Sequence, residues 1–189
     1  GIGLDNLDLK LLRKSKIKVT YTPEAPTQTV AEYVIGLMIY LLRNMHVSKK
    51  NFSKGKWLKI YGKNLNESKI GIVGFGRIGF ELARLLRAFN CKDILVNDIN
   101  IDKINLKKYS IKKATKNKIF KNCNIITLHL PLTKQTKNLV TKKEINLMRN
   151  DAILINTSRG GIINENHLYE ALKNKKIHSA ALDVYSKEP

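Results

Sequence analysis

The fold is decided by residues 69–79, which read Lys-Ile-Gly-Ile-Val-Gly-Phe-Gly-Arg-Ile-Gly. The first six of these residues form a short, β-branched apolar run, which is typical of a buried strand. The stretch from Arg77 to Asn90 then repeats apolar residues at helical spacing, namely Ile78, Leu82, Leu85, Leu86 and Phe89. A glycine-rich turn therefore joins a predicted strand directly to a predicted helix.

The same alternation of apolar runs and amphipathic stretches continues to the end of the chain. Further strands are predicted at residues 94–96, 124–128, 152–155 and 179–182, and helices at residues 142–148 and 164–174, the last capped by Asn164. Strands that alternate with helices indicate βαβ units. The sequence thus predicts an α/β fold, a doubly wound parallel sheet of the Rossmann type.

Upstream of the glycine turn, the stretch from Thr29 to Met45 has helical character and is apolar on nearly every face. Such a helix is buried, either in the core or against another subunit. Pro23 and Pro26 interrupt the chain just before it. We therefore predict a boundary at residue 23, with residues 1–23 ending a different, truncated domain and residues 24–189 forming the doubly wound domain.

The glycine turn matches the pattern G-x-G-x-x-G, and its position between a strand and a helix predicts a dinucleotide site. Gly74 makes the tight turn, Gly76 lets the backbone approach a pyrophosphate, and Gly79 permits close packing of helix on strand. Asp98 follows the next strand, 19 residues after Gly79. Its carboxylate can accept hydrogen bonds from both ribose hydroxyls, and its negative charge repels a 2′-phosphate. Both effects favour NAD over NADP. The alternative is a structural turn with a capping aspartate.

Composition limits the possible partners. The 189 residues include 35 Lys and Arg against 15 Asp and Glu, a net charge of +20, which favours anionic partners such as nucleic acid, an anionic membrane or a phosphorylated small molecule. The excess is dispersed as lysines among Asn and Ile, without aromatic–basic clusters. We therefore expect no nucleic-acid partner. The longest apolar run, residues 33–42, is half the ~20 residues that span a bilayer, so no membrane association is expected.

Cysteine and histidine usage argues against a disulfide framework or a metal site. Cys91 and Cys123 are too few for either and are predicted to be buried thiols in a reducing, cytoplasmic setting. No two of the four histidines have metal-ligand spacing. His129 ends a predicted strand beside the glycine turn, and we expect it to support the loop there rather than to act as a base.

Six motifs follow one another along the chain. They are G-x-G-x-D-N-x-D at residues 1–8, Val30-Ala31-Glu32, Gly55-Lys56-Trp57, H-x-P-L-T-x-x-T at residues 129–136, Asn-Thr-Ser-Arg-Gly-Gly at residues 156–161, and Leu182-Asp183-Val184 with Glu188-Pro189. Together they resemble the motifs of the D-isomer-specific 2-hydroxyacid dehydrogenases, most closely the members that act on 3-phosphoglycerate. The resemblance extends over the whole chain.

The resemblance implies catalytic roles for two residues. Arg159 would bind the carboxylate and carbonyl of the substrate, a task that suits a planar and permanently charged fork. Glu188 would hydrogen-bond a catalytic histidine and raise its pKa so that the imidazolium can donate a proton. The family carries that histidine downstream of the Glu-Pro pair, so this chain is expected to bind NAD but to turn over little or no substrate.

The resemblance also implies contacts with NAD. Arg77 and Ile78 would lie near the pyrophosphate, and the main chain of Leu130 and Pro131 would contact the cofactor. Thr157 and Ser158 would line the nicotinamide end, and Asp183 would lie near it. Arg159 is also in the implied set of cofactor contacts, and Ile2 falls at another contact position.

The implied reaction is the NAD-dependent oxidation of 3-phosphoglycerate to 3-phosphohydroxypyruvate in serine biosynthesis, or its reverse. Enzymes of glyoxylate, hydroxypyruvate and D-lactate share the motifs, so these substrates are alternatives. A non-catalytic module that senses NAD is a further alternative, although a sensor needs neither Arg159 nor Glu188. The family also implies a homodimer or higher homo-oligomer, assembled through the helix at residues 29–45.

Overall fold

A parallel sheet with helices on both faces forms the centre of the molecule. The computed structural model describes residues 3–4, 7–101, 106, 109 and 111–188. Within these residues the strands are β1 (Ile70–Val73), β2 (Ile94–Asn97), β3 (Lys112–Lys113), β4 (Ile125–Leu128), β5 (Ile153–Asn156) and β6 (Ser179–Leu182). They lie in the order β3-β2-β1-β4-β5-β6, and every neighbouring pair is parallel. The predicted doubly wound sheet is confirmed.

The helices in the described residues are α1 (Leu9–Lys14), α2 (Thr27–Leu42), α3 (Met45–Phe52), α4 (Arg77–Ala88), α5 (Lys116–Asn122), α6 (Lys142–Leu147) and α7 (Glu165–Lys173), with a 3-10 turn at Leu65–Glu67. The predicted helices differ from α2, α4, α6 and α7 by at most three residues at either end. Strand β3 and helices α1, α3 and α5 were not predicted from the sequence. Of the motif residues, Gly1, Ile2, Asp5, Asn6 and Pro189 lie outside the described residues.

Two apolar clusters sandwich the sheet. Helices α2 and α4 cover one face, where Val34 and Met38 pack with Leu82 and Leu86. Helices α5, α6 and α7 cover the other face with Ile119, Phe120, Ile145 and Leu168. Because both faces are covered, the central strands β1, β4 and β5 are buried along their whole length, as is usual in parallel sheets.

The helix α2 is buried on one side only. Its Ala31, Val34 and Met38 are fully buried, whereas Tyr33 and Tyr40 are 46% and 39% exposed. The prediction that α2 is buried against the core is therefore correct for one side of the helix. The other side exposes Tyr33 and Tyr40, and contact of this side with another subunit stays a prediction.

The two cysteines are buried, as predicted. Burial raises the pKa of the Cys91 thiol to about 11 and that of the Cys123 thiol to about 12, so both stay protonated at neutral pH. No helix in the described part of the chain is long and apolar enough to cross a bilayer.

Asp151, two residues before β5, links this strand to two other segments of the chain through its side chain. Its carboxylate accepts hydrogen bonds from Arg149 Nε at 2.8 Å, from Asn124 Nδ2 at 3.0 Å and from Lys63 Nζ at 3.1 Å. The hydrogen bond from Arg149, together with that from Lys63 and both positive charges, lowers the pKa of Asp151 to about 2. The loop before β1 is thereby tied to the start of β4 and β5.

We predict that Asp151→Asn lowers the free energy of unfolding by about 0.5–1 kcal/mol at neutral pH, a modest loss because the site is partly solvated. The pKa of this carboxyl is 3.8 when unperturbed and about 2 in the fold. Its contribution is therefore fully present above pH 4 and disappears as the pH falls toward 2. Urea unfolding of both proteins across this range measures the difference.

Asp93→Asn is the matched control, since its ion pair with Lys69 is a single contact of 3.4 Å. We expect it to change the free energy of unfolding less than Asp151→Asn does. A difference between parent and Asp151→Asn that is equally large at pH 7 and pH 2 would contradict the assignment.

Candidate dinucleotide-binding site

The residues predicted to bind a dinucleotide gather at one edge of the sheet, where the parallel strands end. Residues 74–79 follow β1, Asp98 follows β2, Leu130 and Pro131 follow β4, residues 157–159 follow β5, and Asp183 follows β6. The chain leaves β1 toward β2 on one side and continues from β4 to β5 on the other. Such a switch point opens a crevice at the carboxyl ends of the strands, where open α/β sheets bind ligands.

Gly74 brings the ends of three strands together. Its φ of +96° lies in the region that favours glycine, and a Cβ at this position would overlap the carbonyl group of His129 after β4. Its N–H donates to the carbonyl of Asn97 in β2 at 2.8 Å. A residue with a side chain would push the turn away from β4.

Gly76 faces open space, whereas Gly79 is tightly packed. A Cβ on Gly76 would meet no atom within 4 Å, and on Gly79 it would overlap the carbonyl oxygen of Gly74. Gly76 is the N-cap of α4, whose first turn contains no acidic residue. The exposed backbone N–H groups and the positive end of this helix are suited to a phosphate, and Arg77 is exposed beside them.

Asp98 holds the glycine turn with one carboxylate oxygen and its own loop with the other. Its Oδ2 accepts the N–H of Phe75 at 2.7 Å, and its Oδ1 accepts the N–H of Asn100 at 2.8 Å. Each carboxylate oxygen retains a second lone pair, which a ribose hydroxyl can use. The capping role and the ribose-binding role of Asp98 are therefore compatible.

His129 is held by the backbone of β1 and by the side chain of Thr127. Its backbone N–H donates to the carbonyl of Val73 at 2.8 Å, and its ring Nε2 lies 2.9 Å from Thr127 Oγ1. Burial lowers the pKa of the ring to about 4, so the imidazole is neutral at physiological pH. These contacts favour the supporting role that the sequence predicts. In the following loop, Thr136 Oγ1 donates to the carbonyl of Pro131 at 2.6 Å and fixes the bend.

Asn156, at the end of β5, organises the loop that carries Arg159. Its buried Oδ1 accepts hydrogen bonds from Ser158 Oγ at 2.7 Å and from Ser158 N at 3.1 Å, and its Nδ2 donates to the Arg159 carbonyl at 2.9 Å. No role for Asn156 beyond membership of a motif was predicted from the sequence. A buried amide directly after an apolar strand was the signal for this role.

Thr157 contributes a buried hydroxyl whose Oγ1 has no hydrogen-bond partner within the described residues. Buried hydroxyls normally have partners, and this one lies in the loop that was predicted to line the nicotinamide end. The guanidinium of Arg159 donates through Nη1 to the carbonyl of Ser158 at 2.7 Å.

The loop after β6, residues 183–188, lies against the β5 loop. The N–H of Asp183 donates to the carbonyl of Asn156 at 3.0 Å, and a Cβ on Gly160 would overlap the carbonyl of Tyr185. Glu188 Oε1 accepts the N–H of Tyr185 at 3.1 Å. The structure thus brings both predicted catalytic residues, Arg159 and Glu188, into adjacent loops at this edge.

Two residues near this loop escaped the sequence analysis. Partial burial, together with the charge of Asp183 and a hydrogen bond to it, raises the pKa of the Tyr33 phenol. Glu165, in the first turn of α7, accepts hydrogen bonds from the backbone and side chain of Ser186. Neither partner is close in sequence, so no local pattern could have revealed these contacts.

The arrangement of these groups fits a dinucleotide. The space beside Gly76, the lone pairs of Asp98 and the unpartnered hydroxyl of Thr157 lie along one edge of the sheet. The described residues include no group of three or more His, Cys, Asp or Glu side chains that could hold a metal.

Comparisons with known proteins agree with this geometry. Residues 35–189 match the family model of the D-isomer specific 2-hydroxyacid dehydrogenase, NAD binding domain. The D-3-phosphoglycerate dehydrogenase of Methanocaldococcus jannaschii is 36% identical over the whole chain, which covers 36% of that protein. The hydroxypyruvate reductase of Thermotoga maritima is also 36% identical over the whole chain, which covers 61% of it.

Solved structures show the same fold. A D-lactate dehydrogenase from Aquifex aeolicus, complexed with NAD and lactic acid, superposes with a TM-score of 0.90 at 28% identity, over 99% of this chain and 56% of that one. A glyoxylate reductase from Paecilomyes thermophila gives a TM-score of 0.89 at 32% identity, over 100% and 58%. The chain therefore spans between 36% and 61% of the length of these four proteins.

We predict opposite consequences for alanine at two of the glycines. In Gly76→Ala the new methyl enters open space, so the melting temperature stays within ~2 °C while NADH binding weakens at least about tenfold, because the methyl occupies the place of the pyrophosphate. In Gly79→Ala the methyl overlaps backbone, and overpacking lowers the free energy of unfolding by about 1–3 kcal/mol.

NADH fluorescence titration and thermal melting of both variants measure the two effects. Undiminished NADH affinity in a folded Gly76→Ala protein would rule out the glycine turn as the pyrophosphate site.

We also predict that Asp98→Asn reduces the preference for NADH over NADPH by at least about tenfold, since one negative charge near a 2′-phosphate is removed. Asp93→Asn, which removes a carboxylate at the opposite end of β2, is the control. Dissociation constants for both cofactors measure the ratio, and an unchanged ratio in Asp98→Asn would show that this carboxylate does not read the ribose.

Proposed function

The chain belongs to the D-isomer specific 2-hydroxyacid dehydrogenase family, whose NAD binding domain its residues 35–189 match, and from this membership we propose that the protein transfers a hydride between NAD and C2 of a D-2-hydroxy acid. The observation that carries the proposal is the position of Arg159. It lies in the loop after β5, behind Thr157 and Ser158, at the edge of the sheet where the glycine turn also lies. A guanidinium in that place suits an anionic substrate held against a nicotinamide ring.

NAD, when bound, supplies the acceptor or donor of the hydride. The N-terminal N–H groups of α4, with Arg77 and Ile78, hold the pyrophosphate, and Asp98 accepts the ribose hydroxyls. The main chain of Leu130 and Pro131 contacts the cofactor from the β4 loop. Thr157, Ser158 and Asp183 line the nicotinamide end, where the unpartnered Thr157 hydroxyl gains a partner.

The proposed catalytic work of this chain is to bind and orient the substrate. The fork of Arg159 binds the substrate carboxylate and polarises the C2 carbonyl, which stabilises the negative charge that develops there during reduction. Glu188 orients the imidazole of a catalytic histidine, fixes its tautomer and raises its pKa, so that this imidazole can move the hydroxyl proton.

The proposed substrate is 3-phosphoglycerate, which is oxidised to 3-phosphohydroxypyruvate in serine biosynthesis. The M. jannaschii relative, named for this activity, supports the choice. The net charge of +20 is also favourable for a substrate that carries both a phosphate and a carboxylate.

A second candidate is the reduction of a smaller 2-oxo acid. The T. maritima hydroxypyruvate reductase is 36% identical to the chain, the same value as the phosphoglycerate enzyme gives. Glyoxylate and pyruvate belong to the same substrate class.

We also propose an organisation for the whole protein. Residues 1–23 close a substrate-binding domain, and residues 24–189 belong to the NAD-binding domain. The exposed aromatic side of α2, with Tyr33 and Tyr40, provides a homodimer contact. The free thiols of Cys91 and Cys123 favour a reducing, cytoplasmic location.

We predict that Arg159→Ala in the full-length protein lowers kcat/KM for the 2-oxo acid by about a thousandfold, because the developing oxyanion loses its charged partner. The dissociation constant of NADH should stay within about twofold. Lys134→Ala, which removes one positive charge from the neighbouring β4 loop, should leave both values unchanged. Steady-state kinetics and NADH fluorescence measure them.

A substrate panel of phosphohydroxypyruvate, hydroxypyruvate, glyoxylate and pyruvate decides the finer assignment. If phosphohydroxypyruvate is reduced no better than pyruvate, the phosphoglycerate proposal is wrong. If the parent protein binds NADH but reduces none of the four, a non-catalytic NAD-sensing module becomes the better description.

A further inference from the structure

We propose that Glu165 is a positioning residue that holds the loop of residues 183–188 against the loop of Arg159, and so sets the relative placement of Arg159 and Glu188. The catalytic part of this inference rests on the proposed function. The holding of the loop does not, because it concerns contacts within this chain alone.

Glu165 binds Ser186 with both carboxylate oxygens. Oε1 accepts the backbone N–H of Ser186 at 2.6 Å, and Oε2 accepts its Oγ–H at 2.9 Å. Both are charge-assisted hydrogen bonds, which are stronger than neutral ones. The two residues are 21 positions apart and belong to different elements, so the contact joins α7 to the loop after β6.

The anchor of this contact is rigid. Glu165 is the first residue of α7, and Asn164 before it caps the helix by accepting the N–H of His167 at 3.0 Å. The N–H of Asn164 donates to the carbonyl of Val140 at 2.9 Å, and Leu168 is buried in the core. Helix α7 therefore holds the Glu165 carboxylate at a fixed place.

The loop itself lacks such support. Of the six residues 183–188, Val184 is partly buried and the other five are exposed. Loops with few apolar contacts are the easiest parts of a domain to open locally. Polar contacts therefore determine where this loop lies.

The contact at Ser186 is transmitted to both proposed catalytic residues through Tyr185. The N–H of Tyr185 donates to Glu188 Oε1, and its carbonyl lies against Gly160, the residue after Arg159. Any displacement of Ser186 moves Tyr185 and thus changes the position of Glu188 relative to Arg159. Glu165 contacts neither of those side chains in the described structure and acts through the loop.

The test uses four variants of the full-length protein. Glu165→Gln removes the charge and one acceptor oxygen, and Ser186→Ala removes one donor. Ser186→Thr keeps both donors and is the conservative variant. Glu170→Gln removes the same charge from an exposed position on the same helix and is the matched control.

We expect Glu165→Gln to speed amide hydrogen exchange at residues 185–188 by roughly tenfold. An effect of this size corresponds to the loss of one charge-assisted hydrogen bond. The same variant and Ser186→Ala should lower kcat/KM for the 2-oxo acid by roughly tenfold, while the NADH dissociation constant stays within about twofold. Ser186→Thr and Glu170→Gln should match the parent protein. A general loss of structure would instead weaken NADH binding as well.

Unchanged exchange at residues 185–188 in Glu165→Gln overturns the inference, whatever the activity. Faster exchange with unchanged kcat/KM also overturns it, because Glu165 would then hold the loop without any effect of that contact on the reaction. If the parent protein reduces no 2-oxo acid, the proposed function fails by itself, and the exchange experiment still decides whether Glu165 holds the loop.

Discussion

The close approach of the β1 turn to the end of β4 is the constraint on which the site depends. Gly74 lies against the His129 carbonyl, so the backbone can turn there only without a Cβ. Its N–H reaches β2, and Asp98 at the end of β2 holds the N–H of Phe75. This small set of backbone contacts joins three parallel strands at the switch point and aims the first turn of α4 at the crevice.

The sequence was sufficient wherever apolar periodicity determines an element. The buried strands β1, β4 and β5 and the amphipathic helices α4 and α7 carry unmistakable patterns. Strand β3 consists of two exposed lysines, and α5 has two buried apolar side chains among lysines and asparagines, so their hydrophobic signal is too weak. Helix α2 appears apolar all round in the sequence, yet only packing shows that Tyr33 and Tyr40 face outward.

The location of the candidate site could also be predicted, but from the order of the strands rather than from apolar periodicity. Residues that follow parallel strands must meet at one edge, so the glycine turn, Asp98 and Arg159 could be placed together from the order of elements. The contacts that hold them could not. The pairing of Ser186 with Glu165, the contact of Tyr185 with Gly160 and the support of Asn156 depend on how loops pack in three dimensions, which no local pattern records.

The most direct test of the central claim is a titration of the 15N-labelled chain with NAD, observed through its amide resonances. The account predicts that shifts concentrate at residues 74–79, 98–100 and 157–159, along the carboxyl edge of the sheet. A different pocket, of about 340 Å³, lies between the end of α2 and the segment that precedes β1, where Arg43, Lys63 and Asn66 are among its lining residues. Shifts confined to that pocket, or no shifts at saturating NAD, would contradict the account.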